Sequence, residues 1–116
     1  MAWLIDVHPD FEREFRELPS NVKSELYARA RLLEEFGPEL GRPYADTLSG
    51  SKHSNMKELR FTVDDGVWRV AFAFDPDRAA ILLVAGDKSR TSQTRFYRSL
   101  IRTADARFDE HLGGRG

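Results

Sequence analysis

Residues 56–74, MKELRFTVDDGVWRVAFAF, decide how the rest of the chain must fold. Apolar and polar residues alternate on both sides of an Asp-Gly pair, which predicts two strands joined by a two-residue turn at Asp65-Gly66. Glycine tolerates the positive φ that a type I′ turn demands, so the pair is a strong hairpin signal. In that register Asp64 lies opposite Val67, Phe61 opposite Val70, Leu59 opposite Phe72 and Val63 opposite Trp68. One face of the ribbon is then wholly apolar. The other face carries Glu58, Arg60, Thr62 and Arg69. A three-residue turn would set Arg69 beside Phe61, which the cost of burying a charge disfavours. Two arginines from neighbouring strands are therefore expected to leave the same side of the sheet. On this reading Leu59, Phe61, Trp68, Val70 and Phe72 form the core with Phe15, Leu33 and Phe108, whereas loss of Arg69 leaves stability within about 1 kcal/mol.

The chain has 116 residues, 41% hydrophobic and 32% charged, with no cysteine and a net charge of −1. That length and composition suit one globular domain, expected over residues 1–112, and exclude a disordered chain. The absence of cysteine removes disulfides, thiolate nucleophiles and cysteine-ligated zinc together. His8, His53 and His111 are scattered without metal-ligand spacing, so neither a metal nor another cofactor is expected. No apolar run is long enough to span a bilayer and no signal-peptide core follows Met1, which predicts a cytoplasmic protein with no membrane partner.

The charge is unevenly spread. Residues 1–40 hold five Lys/Arg against nine Asp/Glu, whereas residues 41–116 hold thirteen against ten. The sharpest segment is 87–102, where Lys88, Arg90, Arg95, Arg98 and Arg102 face only Asp87. Such a cluster suits a polyanion, and equally a solvated helix face.

Working outward, residues 2–7 are β-like, with Trp3, Ile5 and Val7 on one face. Pro9 beside Asp10 then starts a helix in which Phe11, Phe15 and Leu18 recur at helical spacing until Pro19. Ser20 is the expected cap of a second helix along Val22, Leu26, Ala30, Leu33 and Phe36, stopped by Gly37-Pro38. Residues 39–55 read as a long connector rich in Gly, Pro and Ser, of the kind that carries function. Residues 79–86, AAILLVAG, are apolar on both faces, as in a strand covered on two sides. A last helix over residues 92–112 repeats Phe96, Leu100, Ala104, Phe108 and Leu112, capped by Thr91 or Ser92, and residues 113–116 read as a disordered tail. The order β-α-α-β-β-β-α predicts a small α+β domain, a twisted, mainly antiparallel sheet of about four strands with helices packed over one face.

The run MKELRFTVDDGVWRVAFAFDPDRAAILLVAGDKS, followed by RFYRSLI, resembles the HigB-like, phage-derived branch of the RelE/ParE toxin superfamily. The resemblance extends over nearly the whole chain, since the helical hairpin and the connector sit where that branch has theirs. It implies a RelE-like fold and a toxin of a type II toxin–antitoxin system. Three activities are open on this reading: a metal-independent, ribosome-dependent mRNA endonuclease that inhibits translation, a gyrase-directed toxin of the ParE kind, or a non-catalytic phage-derived interaction module. The partner implied is a helix-turn-helix, HigA-like antitoxin, through which operator DNA would be bound.

Metal-free RNA cleavage needs a proton acceptor for the 2′-hydroxyl, cations for the phosphorane's charge and a proton donor for the 5′-oxygen. By position in the motifs, the resemblance implicates Arg60, Arg69, Lys88 and Lys57 as catalytic. Arg60 and Arg69 suit a phosphate clamp, because a planar fork binds two oxygens and stays charged. Lys88 suits proton transfer if desolvated among cations. His53, Arg90, Arg95 and Tyr97 are the expected substrate-binding residues, His53 by its titration range and Tyr97 by stacking on a base or donating a proton. Each has a plain structural alternative: cross-strand pairing with Glu58 for the arginines, a strand-end cap for Lys88, a solvated loop for His53 and a half-buried helix position for Tyr97.

Overall fold

The computed structural model describes residues 2–114. The chain runs β1 (Leu4–Val7), α1 (Pro9–Arg16), α2 (Ser20–Phe36), β2 (Ala45–Thr47), β3 (Met56–Val63), β4 (Gly66–Phe74), β5 (Ala79–Asp87) and α3 (Gln93–Gly113). The strands form one sheet in the order β1-β5-β4-β3-β2. Among the described residues only the β1–β5 pair is parallel. The sheet therefore has five strands rather than about four, because three residues of the expected connector pair with β3 as an edge strand.

The hairpin forms, but its turn sits one position earlier than expected. Val63 faces Gly66, and the two turn residues are Asp64 and Asp65. Asp64 supplies the positive φ, at 53°. Aspartate tolerates a positive φ better than most residues. Asn21 of α2 donates to the Asp64 carboxylate at 2.8 Å, tying the turn to the helix below. Gly66 serves a different purpose: a Cβ there would come within 2.7 Å of the Trp68 ring. Each strand thus shifts by one residue relative to the expected register, a net change of two, so every side chain keeps its face. Leu59 now faces Val70, Phe61 faces Trp68, and Arg60 faces Arg69 directly.

Helices cover both faces of the sheet, not one. On the first face α1 and α2 bury Phe11, Leu26 and Leu33 against Leu59, Phe61, Val70, Phe72 and Leu82. On the second, α3 buries Phe96, Leu100, Ala104 and Phe108 against Met56, Ala71, Ala73, Ile81 and Leu83. Phe108 accordingly belongs to the second core, apart from Leu59 and Phe72. The alternation in β5 explains this: Ala80 and Leu82 enter one core while Ala79, Ile81 and Leu83 enter the other. Small residues bring α3 close, and a Cβ at Gly86 would meet the Phe96 ring at 2.8 Å.

The helix ends follow their local chemistry. Ser92 caps α3 by accepting the Arg95 N–H at 3.3 Å. Ser20, expected as the cap of α2, is its first residue; Pro19 stands at the cap position without a side-chain bond. His8 caps α1 through Nδ1, which accepts the Asp10 N–H. Gly113 ends α3 and Gly114 is its C-cap, while the rest of the expected tail, residues 115–116, lies outside the described residues. Ion pairs and hydrogen bonds tie α3 to the rest of the chain: Arg107 forks onto Glu14 of α1 at 2.6 and 2.8 Å, and His111 bonds Asp75 at 2.8 Å. Among the described residues no helix is long and apolar enough to cross a membrane.

Phe72 is fully buried, so Phe72→Ala should lower the unfolding free energy by about 3–5 kcal/mol in urea titrations. Burial pushes the Asp75 carboxyl up, but the His111 bond and the N–H groups of Ala79 and Asp77 outweigh it and hold its pKa below the usual range. A depressed folded pKa contributes stability above the unfolded value of about 3.9 and loses it as pH falls through the folded value. The drop in stability on acidification below about pH 4 should therefore be shallower in Asp75→Asn than in the parent chain, and equal slopes would exclude this carboxylate as a contributor.

Candidate functional site

The second sheet face is covered by α3 only along part of its length. Met56, Ala71 and Ala73 lie under the helix, but toward the hairpin turn the same face carries Glu58, Arg60 and Arg69. Glu58 is 3% exposed and forms the hub of a polar cluster. Arg60 Nη1 donates to its Oε2 at 2.7 Å. The Tyr97 hydroxyl, on the first turns of α3, donates to its Oε1 at 3.0 Å. Arg69 Nε lies 3.8 Å from the same Oε1 and donates to the Tyr97 oxygen at 3.3 Å. Arg69 Nη1 is fixed by the Trp68 carbonyl at 2.9 Å.

The two arginines differ in access. The Arg69 side chain is 6% exposed and that of Arg60 is 21% exposed, so Arg60 presents the reachable cation and Arg69 backs it. Lys88 completes the group from the turn after β5, its Nζ 5.9 Å from the centre of the Tyr97 ring. Burial lowers its pKa, and the guanidinium groups of Arg69 and Arg60 lower it further. Burial likewise raises the Tyr97 phenol, with Glu58 opposing its ionisation. The cluster thus sets a half-buried amine whose pKa is lowered beside a phenol whose pKa is raised.

The structure brings Arg60, Arg69, Lys88 and Tyr97 together. Lys57 is not among them: it faces Phe72 and Thr47, and strand alternation sets it on the opposite side of the sheet from Arg60. His53 bonds Asp109 at 2.8 Å and packs edge-on against Phe108. Asp109 is twelve residues beyond Tyr97 along α3, about 18 Å away, so His53 belongs to the clasp between its loop and the helix. Arg90 is exposed at the rim and pairs with Asp87 at 3.5 Å. Arg95 is exposed on the first turn of α3.

Two residues of the cluster were not among the expected site residues, although Glu58 is the expected pairing partner of the arginines and its bond to Arg60 bears that pairing out. Glu58 was placed on the right face by alternation, but its spacing from Tyr97 in the sequence carries no signal that they meet. Asp87 shapes the Lys88 turn by accepting the N–H groups of Val67 and Ser89, each at 3.0 Å. Burial would raise its pKa, and these bonds with the Ser89 hydroxyl and Arg90 hold it low instead. Away from the cluster, His8, Asp10 and Glu110 could hold a metal ion, their ligand atoms lying within 4.8 Å of one another. Asp10 is already bonded by Arg13 and approached by Arg107, and His8 Nδ1 is engaged as a cap, so this donor set is matched to cations of the chain itself.

The architecture, a five-stranded sheet with helices on both faces, is a RelE-like fold. It is similar to the free state of an E. coli toxin RelE carrying two arginine-to-alanine substitutions, with a TM-score of 0.61 and 16% identity over 87% of this chain and 95% of that one. It is also similar to the archaeal RelE-RelB complex from Pyrococcus horikoshii OT3, with a TM-score of 0.58 and 16% identity over 78% and 100% of the two chains. Residues 13–109 match the family described as phage-derived protein Gp49-like, DUF891. The chain belongs to that family, within the HigB-like branch of the RelE/ParE toxin superfamily. Over 112 residues it is 48% identical to "Putative toxin HigB2" of Mycobacterium tuberculosis, covering 96% of this chain and 50% of that protein. It is 41% identical to "Putative toxin HigB3" of the same organism, covering 91% and 95%. The chain thus spans about half the length of the first of these relatives and nearly all of the second.

Because Arg69 is buried against Glu58 and Tyr97, the sequence-based expectation that its loss leaves stability within about 1 kcal/mol is replaced. Arg69→Ala should cost about 3 kcal/mol in urea unfolding, as for a broken buried ion pair. Arg60→Ala should cost about 1 kcal/mol, since its head remains partly solvated. Equal costs for the two would contradict the asymmetry of the cluster.

Proposed function

We propose that the chain is the toxin of a type II toxin–antitoxin pair and a metal-independent, ribosome-dependent mRNA endonuclease that arrests translation in the cytoplasm. The observation that carries this reading is the facing Arg60–Arg69 pair, held on rigid strands around Glu58 with Lys88 and Tyr97 beside it. In the reaction the 2′-oxygen of the RNA attacks its own 3′-phosphorus while the bond from phosphorus to the 5′-oxygen breaks, leaving a 2′,3′-cyclic phosphate and a 5′-hydroxyl. Negative charge grows on the phosphorane oxygens. Arg60, partly exposed at the mouth of the cluster, is the group that clamps them. Arg69 acts from behind, through Tyr97 and Glu58, by fixing the direction of the Arg60 fork. Lys88 is the proton carrier, because burial and two neighbouring guanidinium groups make its ammonium a stronger acid than a free lysine. The partner is a helix-turn-helix, HigA-like antitoxin that neutralises the basic cluster and carries the pair to operator DNA; the similarity to a RelE chain crystallised with RelB supports a protein partner.

Induction of the chain in cells should arrest growth and create new RNA 5′ ends within coding regions, and co-expression of the cognate antitoxin should restore growth. Arg60→Ala should lower the cleavage rate by about 10² to 10³. Arg60→Lys should recover only part of it, since a point charge cannot reproduce a bidentate fork. If an Arg60→Ala, Lys88→Ala double variant were as toxic as the parent at equal expression, the clamp would be wrong and a gyrase-directed toxin would be the better reading.

A further inference from the structure

The outer surface of α3 holds cations that the cluster does not use. Between Asp87 and Asp105 the chain has no acidic residue and five basic ones, Lys88, Arg90, Arg95, Arg98 and Arg102. Elsewhere the surface arginines are mostly matched to a carboxylate: Arg13 to Asp10, Arg16 to Glu12, Arg29 to Glu25, Arg42 to Asp46 and Arg107 to Glu14. Arg95, Arg98 and Arg102 are exposed, and among the described residues their side chains form no ion pair or hydrogen bond. At 100° per residue the three fall within an arc of about 60°, diametrically opposite the stripe Phe96, Leu100, Ala104 and Phe108 that faces the core. They rise along the helix in steps of about 4.5 and 6 Å. A stripe of unmatched like charges is unfavourable to hold unless something anionic lies along it.

We infer that Arg95, Arg98 and Arg102 form a track for the phosphate backbone of the substrate RNA strand outside the cluster. Three observations favour a single strand continuing from the cluster. In the sequence the cations follow one another from Lys88 at the cluster, through exposed Arg90, which also pairs with Asp87, to the helix. They lie in one row, as one backbone does, without a second row for the other strand of a duplex. From Thr91 to Ala104 the gaps between the arginines hold neutral side chains, among them the hydrogen-bonding Thr91, Ser92, Thr94 and Ser99, and no carboxylate. The track reads no base, since backbone contacts carry no sequence information. It lengthens the segment of RNA that the protein grips. This inference rests on the endonuclease reading for the identity of the strand.

The test uses an uncleavable, 2′-O-methylated single-stranded 12-mer and a 4-mer, with binding followed by fluorescence anisotropy between 50 and 300 mM salt. Each cation that neutralises a phosphate of a single strand adds about 0.7 to the slope of log affinity against log salt. Replacing Arg95, Arg98 and Arg102 together by Gln should make that slope shallower by about 2 for the 12-mer, and should leave the 4-mer, which is too short to engage the cluster and the helix together, bound as before. All three positions are exposed, and an unchanged melting curve checks the fold. The proposal is overturned by an unchanged slope, by an equal loss for both oligonucleotides, or by an intact 12-mer affinity alongside weakened binding to duplex RNA or to ribosomes. Mapping of RNA 5′ ends reads the endonuclease separately: a shallower slope with no new ends in cells would sink the nuclease and leave the track standing.

Discussion

The functional end of this fold depends on one buried carboxylate. Arg60 and Arg69 face each other across neighbouring strands, a placement that like charges resist unless an anion sits between them. Glu58 is that anion, and its own burial is tolerable only because Arg60, Arg69 and Tyr97 satisfy it. Each member of the group makes the others affordable, which is why the network is best regarded as one unit rather than a sum of pairs. Tyr97 also ties the unit to α3, so the position of that helix and the direction of the Arg60 fork are set together.

The partial cover of the sheet follows from side-chain size. Ala71 and Ala73 let α3 lie close to β4, and Gly86 lets the Phe96 ring settle onto β5. Toward the hairpin turn the same face changes from alanine and methionine to arginine and glutamate, and the helix starts beside this region instead of crossing it. Water reaches Arg60 there but not Arg69. A continuous apolar face would have produced an ordinary two-sided core without an accessible cation on it.

Much of this was legible in the residues. Strand alternation alone set Glu58, Arg60 and Arg69 on one side, and a hairpin shift of one residue per strand did not matter, because side chains repeat every two. The turn lies one position before the Asp-Gly pair because Asp64, not Gly66, holds the positive φ and Gly66 makes room for Trp68. β2 escaped notice because three residues show no periodicity. The second helical layer is implied by a β5 that is apolar on both faces, while the expectation of helices over one face alone is overturned by α3. What could not be read was long-range contact. Tyr97 and Glu58 are 39 positions apart, and only the packing angle of α3 decides that they touch. The same angle carries His53 to Asp109 and away from the cluster.

The arginines of this chain show how one side chain takes three roles according to what surrounds it. Arg69, buried with its donors matched, is part of the scaffold: its rotamer is fixed, and it contributes to a ligand only through the groups it holds. Arg60 has one bond to Glu58 and a partly open head, so it keeps donors available in a fixed direction, the condition for stabilising charge that develops in a reaction without reorganisation at that moment. Arg95, Arg98 and Arg102 are exposed, and their attraction for an anion is screened by salt and tolerant of exact geometry. Orientation therefore tightens from the outer helix to the cluster while hydration falls. An anionic chain drawn along that gradient meets weak, forgiving contacts before it meets the rigid one, and only the last of these is placed to discriminate the geometry of a transition state from that of a bound strand.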